Sequence, residues 1–281
     1  MDGFGNVTQV QEPDPANPET ASYNTSYTYD VLNHLTGVNM LRPTGLQTRV
    51  FNYSGPYLMS AQNPENGTVT YTYGAGGLLA SKTDAKGQQI QYSYDLYGRL
   101  SQVRHYALNL QGTLVEDPCQ QVNLTYDSNT VSGFESLAGR LATRTYSVCE
   151  NPNGTTTLRT DFTDMFGYTA AGQVTKKRLR VARGTAYRDL DGSWDYTDDR
   201  MTHVTYPSGS GGPAGPSYTF GYDSMGRLNT MTDSSQSPLV TGVTYGPAGE
   251  IITIAGSYTE QRSYNSRLQL MEMNGVRLSY P

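Results

Sequence analysis

The sequence predicts an all-β fold in which tandem β-hairpins join into one large curved antiparallel sheet. Three observations predict it: a recurring motif, a strict alternation of side chains before each copy, and turn residues at both ends of each alternating run. The best-kept copy is Tyr92-Ser93-Tyr94-Asp95-Leu96-Tyr97-Gly98-Arg99-Leu100, and its Tyr-Asp-x-x-Gly-Arg-Leu core returns as Tyr222, Asp223, Gly226, Arg227 and Leu228. Weaker copies start at Tyr29 (with Asp30, Asn33, His34 and Leu35), Tyr73 (Gly74, Gly77, Leu78), Tyr168 (Gly172, Val174) and Tyr245 (Gly249, Ile251). Those at Tyr53, Tyr126 and Tyr264 are more degraded, and the chain opens inside a copy, with Asp2, Gly5, Asn6 and Val7 in register. A fixed period of this kind identifies a repeat architecture before any single element is assigned.

Within a copy, Ile90, Tyr92 and Tyr94 point one way while Gln89, Gln91 and Ser93 point the other, which is the period of two that a strand requires. Val69, Tyr71 and Tyr73 against Thr68, Thr70 and Thr72 repeat it, as do Tyr218, Phe220 and Tyr222. The corner that follows has Asp95 first, where its side chain can bond backbone amides, and Gly98 fourth, where positive φ is needed. Asn33 fits the fourth position of an earlier copy because Asn tolerates the left-handed region. Midway between copies lie further turn signals at Asp84 to Gly87, Asn63-Pro64-Glu65-Asn66-Gly67, and Asp189 to Gly192. Each repeat therefore reads as a hairpin closed at both ends.

Composition narrows the function. Charged residues are 16% of the chain, against about 25% in an ordinary domain. A net charge of −5 argues against a nucleic-acid partner, whose phosphates demand a basic surface. No apolar stretch is long enough to span a membrane, and no secretory leader is apparent. Cys119 and Cys149 match no zinc pattern, and His34, His105 and His203 are scattered singly. The two thiols could form one disulfide if Val122 to Asp127 and Arg140 to Ser147 pair as strands; geometry decides it. No Ser, His and Asp set stands out, so neither catalysis nor a cofactor is expected.

Size sets the expected architecture. Nine copies of two strands give roughly 18 strands at about 4.8 Å, a sheet on the order of 90 Å wide. Open sheets rarely exceed about ten strands without curling. Curled back on itself, such a sheet would be about 30 Å across, too wide for side chains to fill. Stability must then come from neighbours stacking in series.

The motif Tyr92 to Leu100 resembles the signature of the RHS or YD-repeat family, and the resemblance covers nearly all of residues 1–281. Residues 1–110 and 218–281 read as regular repeats. Residues 111–217 read as expanded and irregular, with a loop over 207–217 and Met201 to Gly209 as a strand-and-turn element. The family includes bacterial polymorphic toxins, the C component of insecticidal toxin complexes and teneurins. The resemblance implies a spiral β-sheet closing into a hollow shell, and an extracellular or cell-surface location. It also implies partners in the rest of the same chain: shell, core and C-terminal cargo. Toxin members carry a Pro-x-x-x-x-Gly-Leu-Pro-Gly core segment and an Asp-Pro-x-Gly-Arg self-cleavage motif. Asp117-Pro118-Cys119 and Asp14-Pro15-Ala16 share only the dipeptide, so the chain is expected to be a wall segment of a longer protein, without protease or toxin.

Other clusters have plain readings beside sharper ones. Asp189-Leu190-Asp191-Gly192-Ser193-Trp194-Asp195 with Asp198 and Asp199 could bind calcium but lacks the EF-hand pattern, and a solvated turn is favoured. Lys176-Lys177-Arg178-Leu179-Arg180 with Arg183 could grip an acidic partner or polyanionic glycan; a solvated strand edge is favoured. Gly209-Ser210-Gly211-Gly212 reads as a linker, not a phosphate loop. The tyrosine rows suit packing better than a sugar platform, though one face could still hold a ligand. The leading function is a container wall around a polypeptide cargo; the alternative is a cell-surface carbohydrate- or protein-binding module.

Overall fold

The structure, a computed structural model, describes residues 1–14, 22–42, 45–150, 158–208 and 215–279. Among the described residues there are 22 β-strands, a single 3-10 turn at Ala75–Gly77 and no α-helix. The fold is all-β and antiparallel, as the alternation predicts. Every register runs between strands adjacent in sequence, so the topology is a meander of hairpins.

The chain divides into two compact units, Met1–Leu124 with Tyr146–Thr157, and Thr125–Thr145 with Leu158–Pro281. The first holds β1 (Gln9–Pro13), β2 (Ser22–Tyr29), β3 (Leu35–Arg42), β4 (Gly45–Ser54), β5 (Tyr57–Asn63), β6 (Gly67–Tyr73), β7 (Leu79–Thr83), β8 (Gln89–Tyr94) and β9 (Leu100–Leu108). Strands β10 (Leu114–Tyr126) and β11 (Leu141–Glu150) each contribute to both units. The second adds β12 (Leu158–Tyr168), β13 (Val174–Arg183), β14 (Ala186–Thr197), β15 (Arg200–Thr205), β16 (Ser217–Tyr222), β17 (Leu228–Asp233), β18 (Pro238–Tyr245), β19 (Ile251–Gly256), β20 (Glu260–Tyr264), β21 (Leu270–Met273) and β22 (Val276–Arg277). The motif corners close the even-numbered strands and the intervening corners close the odd-numbered ones.

Burial follows from this geometry, because a meander has no second layer to close on. In the first unit the buried apolar residues are Val38 on β3 and the cross-strand pair of Ala61 on β5 and Val69 on β6. The alternation is visible in β6, where Val69 is buried between exposed Thr68 and Thr70. The second unit has a contiguous core instead: Phe134, Leu137, Ala142 and Met165, with Val131 and Tyr168 packed against it.

Three expectations change. Asp189 to Gly192 is not a turn but the middle of β14, in register with Arg180 to Lys177 of β13; that hairpin reverses at Gly184, whose φ is 60°. The basic run of β13 is not a sheet edge, since β13 pairs with β12 on one side and β14 on the other. There are also more strands than the roughly 18 expected from the copies: a copy at Tyr196 that escapes the motif supplies β14 and β15, and β1 and β22 stand outside the counted copies. The corner of the Tyr196 copy is Asp198-Asp199-Arg200, with φ of 49° and 61° at the two aspartates in place of the usual glycine. Gly209 to Gly212, Pro15-Ala16 and Tyr280-Pro281 lie outside the described residues. No helix among the described residues is long and apolar enough to cross a membrane.

Candidate functional site

The repeating unit is the corner, and its chemistry follows from one carboxylate. The Asp95 N–H donates to the Arg99 carbonyl (2.9 Å) and the Gly98 N–H to the Asp95 carbonyl (3.0 Å). Asp95 Oδ1 accepts from the Tyr97 and Arg99 N–H groups, both at 2.9 Å, while Oδ2 takes the Arg99 guanidinium at 2.7 Å. Gly98 stands at φ 75°, which a side chain would resist, and the extra residue shows as a bulge between Ser93 and Tyr94. Asp223, Met225, Gly226 and Arg227 reproduce every one of these bonds. At Asp30, His34 stands where the arginine would and bonds Asp30 Oδ2 at 2.9 Å, with Asn33 at φ 64°. Burial pulls the Asp95 carboxyl upward, but the Arg99 N–H and guanidinium outweigh it and hold the group below its ordinary value. The intervening corner at Asp84 to Gly87 uses the same pattern, with Asp84 Oδ1 accepting from Lys86 and Gln88 N–H.

The motif tyrosine joins one copy to the one before. Tyr94 donates its hydroxyl to the carbonyl of Leu79, the first residue of β7, at 2.9 Å. Tyr29 does so to Val7, Tyr73 to Leu58, Tyr168 to Leu141, Tyr196 to Val174, Tyr222 to Met201 and Tyr245 to Leu228. In several copies the corner's last residue completes the link by lying over the next tyrosine, while Arg99 lies 4.9 Å from the ring of Tyr97 in its own corner. Arg227 lies 4.2 Å from the Tyr245 ring, Arg140 5.6 Å from Tyr168 and Arg200 5.9 Å from Tyr222, while His34 stacks on Tyr53 at 4.6 Å. Tyr168, Tyr222 and Tyr245 thus spend their polar ends on backbone and a face on a cation. Leu100 and Leu228 begin the strands that leave their corners. Gly77, Gly172 and Gly249 each donate an N–H back across a corner, to Gly74, Thr169 and Gly246.

The copy at Tyr126 is split, not degraded. Asp127 donates its N–H to the Arg140 carbonyl at 3.1 Å, the same closing bond as in Asp95 and Arg99, and Gly139 donates to Asp127 Oδ1. Tyr-Asp and Gly-Arg-Leu are therefore both present, with residues 128–138 between them where other copies have two. That segment supplies Val131, Phe134 and Leu137 to the core. It docks where β12 bulges: the Tyr168 N–H donates to the Glu135 carbonyl at 3.0 Å, and a Cβ on Gly167 would sit 3.3 Å from Phe134 Cα. Arg140 reaches on to the Thr169 and Ala170 carbonyls of the next corner. A search allowing a gap inside the motif would have found this copy.

The charged clusters neutralise each other. Arg178 grips Asp191 with two nitrogens, both at 2.6 Å, and Arg180 grips Asp189 at 2.7 and 2.8 Å. Hydrogen bonding from these arginines holds both carboxyls below their ordinary values. Lys176 and Arg178 lie over the Phe134 ring at 5.0 and 5.7 Å. Asp164, 2% exposed, lies between Arg144 Nε at 3.0 Å and Lys177 Nζ at 3.2 Å. Arg183 bonds Thr160. These carboxylates serve arginine and lysine, and no group of His, Cys, Asp and Glu among the described residues is arranged to hold a metal.

Cys119 and Cys149 are joined by a disulfide with Cα atoms 5.6 Å apart. Pro118 cannot donate to the ladder, and the β9–β10 register slips between Asp117 and Val122, so Cys119 stands in a wide bulge. The histidines stay apart: His34 at its corner, His203 bonded to Thr219, and His105 on β9.

Residues 54–176 match the family model described as Teneurin YD-shell. No curated protein matches the chain significantly. Among solved structures, it is similar to TcdB2–TccC3–Cdc42 (TM-score 0.72) and to TcdB2–TccC3 without its hypervariable C-terminal region (0.73), each at 15% identity over 97% of this chain and 14% of that one. The Tc holotoxin pore of Photorhabdus luminescens is similar at a TM-score of 0.71 and 15% identity, over 97% of this chain and 13% of that one. The chain thus spans a small part of the proteins whose fold it shares.

Proposed function

We infer, from the RHS/YD-repeat character of this chain, that it is a non-catalytic wall segment of a shell that encloses a polypeptide cargo carried by the same protein. The observation that carries the reading is the tyrosine-to-carbonyl link, repeated from Tyr29 to Tyr245. It fixes each linked hairpin to its predecessor and engages the tyrosine hydroxyl on backbone. A wall needs identical joints more than it needs a site, because stability in such arrays is a sum over neighbours. The likeness to toxin-complex proteins supports the same reading and an extracellular setting.

The test is cryo-EM of the protein in which this segment resides, with its natural flanking sequence. Density enclosed by the repeats is expected, together with protection of the enclosed polypeptide from added protease. A solid or flat array, or a cargo cleaved as fast as a free peptide, would overturn the proposal.

A further inference from the structure

The corner between β5 and β6, Asn63-Pro64-Glu65-Asn66-Gly67, is built without the clamp that holds other corners of this chain. At Asp84, Asn109, Asp233 and Asn265 the leading Oδ1 accepts two backbone N–H groups and fixes the loop from inside. Asn63 and Asn66 make no side-chain hydrogen bond among the described residues. Pro64, Glu65 and Asn66 are exposed, and Glu65 is engaged by Arg49. Gly67 pairs with Asn63 at the end of the hairpin and stands at φ 72°, with no Cβ to shield its nitrogen.

The same dipeptide recurs at Asn274-Gly275, between β21 and β22, where Gly275 stands at φ 84°. Asn274 is exposed as well, but its side chain is held. Its Oδ1 accepts the Gln261 N–H at 2.8 Å, and its own N–H donates to the Gln261 carbonyl at 3.0 Å, so the amide is fastened against β20. The two corners therefore share sequence and exposure and differ in whether the asparagine side chain is free to turn. A third such dipeptide, Asn153-Gly154, lies outside the described residues.

We propose that Asn66 is a covalent modification site, at which the side-chain amide is lost spontaneously through a cyclic imide with Gly67. The Gly67 nitrogen, on losing its proton, attacks Asn66 Cγ. The new N–C bond closes the ring as the Cγ–Nδ2 bond breaks, and Nδ2 takes up a proton and leaves as ammonia. Water then opens the imide at either carbonyl, giving aspartate or isoaspartate at this position. Amide plus water becomes acid plus ammonia, and the step calls for no oxidant or cofactor. It does call for an asparagine side chain free to swing onto the next nitrogen, which the β5–β6 corner supplies and the Gln261 clamp denies to Asn274. The products load the corner: a new carboxylate stands beside Glu65, the partner of Arg49. Isoaspartate also adds a carbon to the main chain just before β6, whose Val69 is buried opposite Ala61.

The test is peptide mapping of the native protein by mass spectrometry after incubation at mildly alkaline pH. Isoaspartate is read in each peptide by labelled methyl transfer from S-adenosylmethionine, using a protein-isoaspartate methyltransferase. The Asn66 peptide should convert at least tenfold faster than the Asn274 peptide. In guanidinium chloride the two should convert at comparable rates, because unfolding removes the Gln261 clamp. Asn66→Gln should abolish methyl acceptance in its own peptide and leave the rate at Asn274 unchanged. Conversion of Asn66 no faster than that of Asn274 in the native protein overturns the proposal. So does the same tenfold ratio in the unfolded chain, which would assign the difference to sequence and not to the fold. Asn153-Gly154 is read in its own peptide and enters neither comparison.

Discussion

The corner at Asp95 and the corner at Asp127 share one closing bond, from the aspartate N–H to the arginine carbonyl, yet enclose very different lengths of chain. In the first, two residues pass between Asp and Gly; in the second, residues 128–138 do, and they bring a core with them. The comparison teaches that a corner is specified by its two ends, so its middle is free to vary. Where the middle is short, as through the first unit, the buried apolar residues described are Val38 and the cross-strand pair Ala61 and Val69, and stability rests on small contacts repeated. Where it is long, burial and buried charge take over.

The sharpest way to break this contrast is at Asp164. Asp164→Ala removes a buried carboxylate shared by Arg144 and Lys177, both of which are exposed enough to hydrate, and should cost about 3 kcal/mol in denaturant unfolding, the lower end for a broken buried pair. A loss under 1 kcal/mol would show that the buried charge is not what holds the expanded strands.

Phe134→Ala should follow, at about 3 kcal/mol, because it empties the ring's place in the core with Leu137, Ala142 and Met165 and removes the ring beneath Lys176 and Arg178. The corner bond from Asp127 to Arg140 should survive it, which amide exchange at Asp127 would report.

Acid tests both regions in one direction. The Asp189 and Asp191 carboxyls lie below their unfolded values, so their contribution is complete above the ordinary carboxylate range, near about 3.9, and is lost as pH falls through the depressed folded values. Tm measured from pH 7 downward should therefore drop more steeply in the native chain than in a variant carrying Asp189→Asn and Asp191→Asn. Parallel profiles would remove the arginine zipper from the account.

The smallest effect belongs to a single joint of the regular stretch. Tyr94→Phe deletes one hydroxyl bond and should cost about 1 kcal/mol, since the Leu79 carbonyl loses its side-chain donor. A larger loss, near that of Phe134→Ala, would mean that the joints are cooperative.

These differences also explain what could be read from sequence. Alternation at Ile90, Tyr92 and Tyr94 and the fourth-position glycine act within a few residues, so strands and corners were legible together. The tyrosine's hydroxyl partner was not, because it lies 15 residues back at Leu79 and is a backbone atom that no side-chain pattern marks. The basic run of β13 and the aspartates of β14 were visible as two clusters. Their pairing was missed because Asp189 and Gly192 imitate a turn, and only the register of β13 with β14 sets Arg178 opposite Asp191. The bulge at Pro118 follows from ladder pairing, not from spacing.

The hydroxyl links also give the array a sense of direction. Each linked copy, from Tyr29 to Tyr245, leans on a carbonyl of an earlier neighbour, like courses of brick laid from one side. Whole copies could therefore be added or removed between two joints while the remaining joints stay the same, whereas a copy turned end for end would meet its neighbours donor to donor. Length can change in units of one hairpin pair without a new kind of contact.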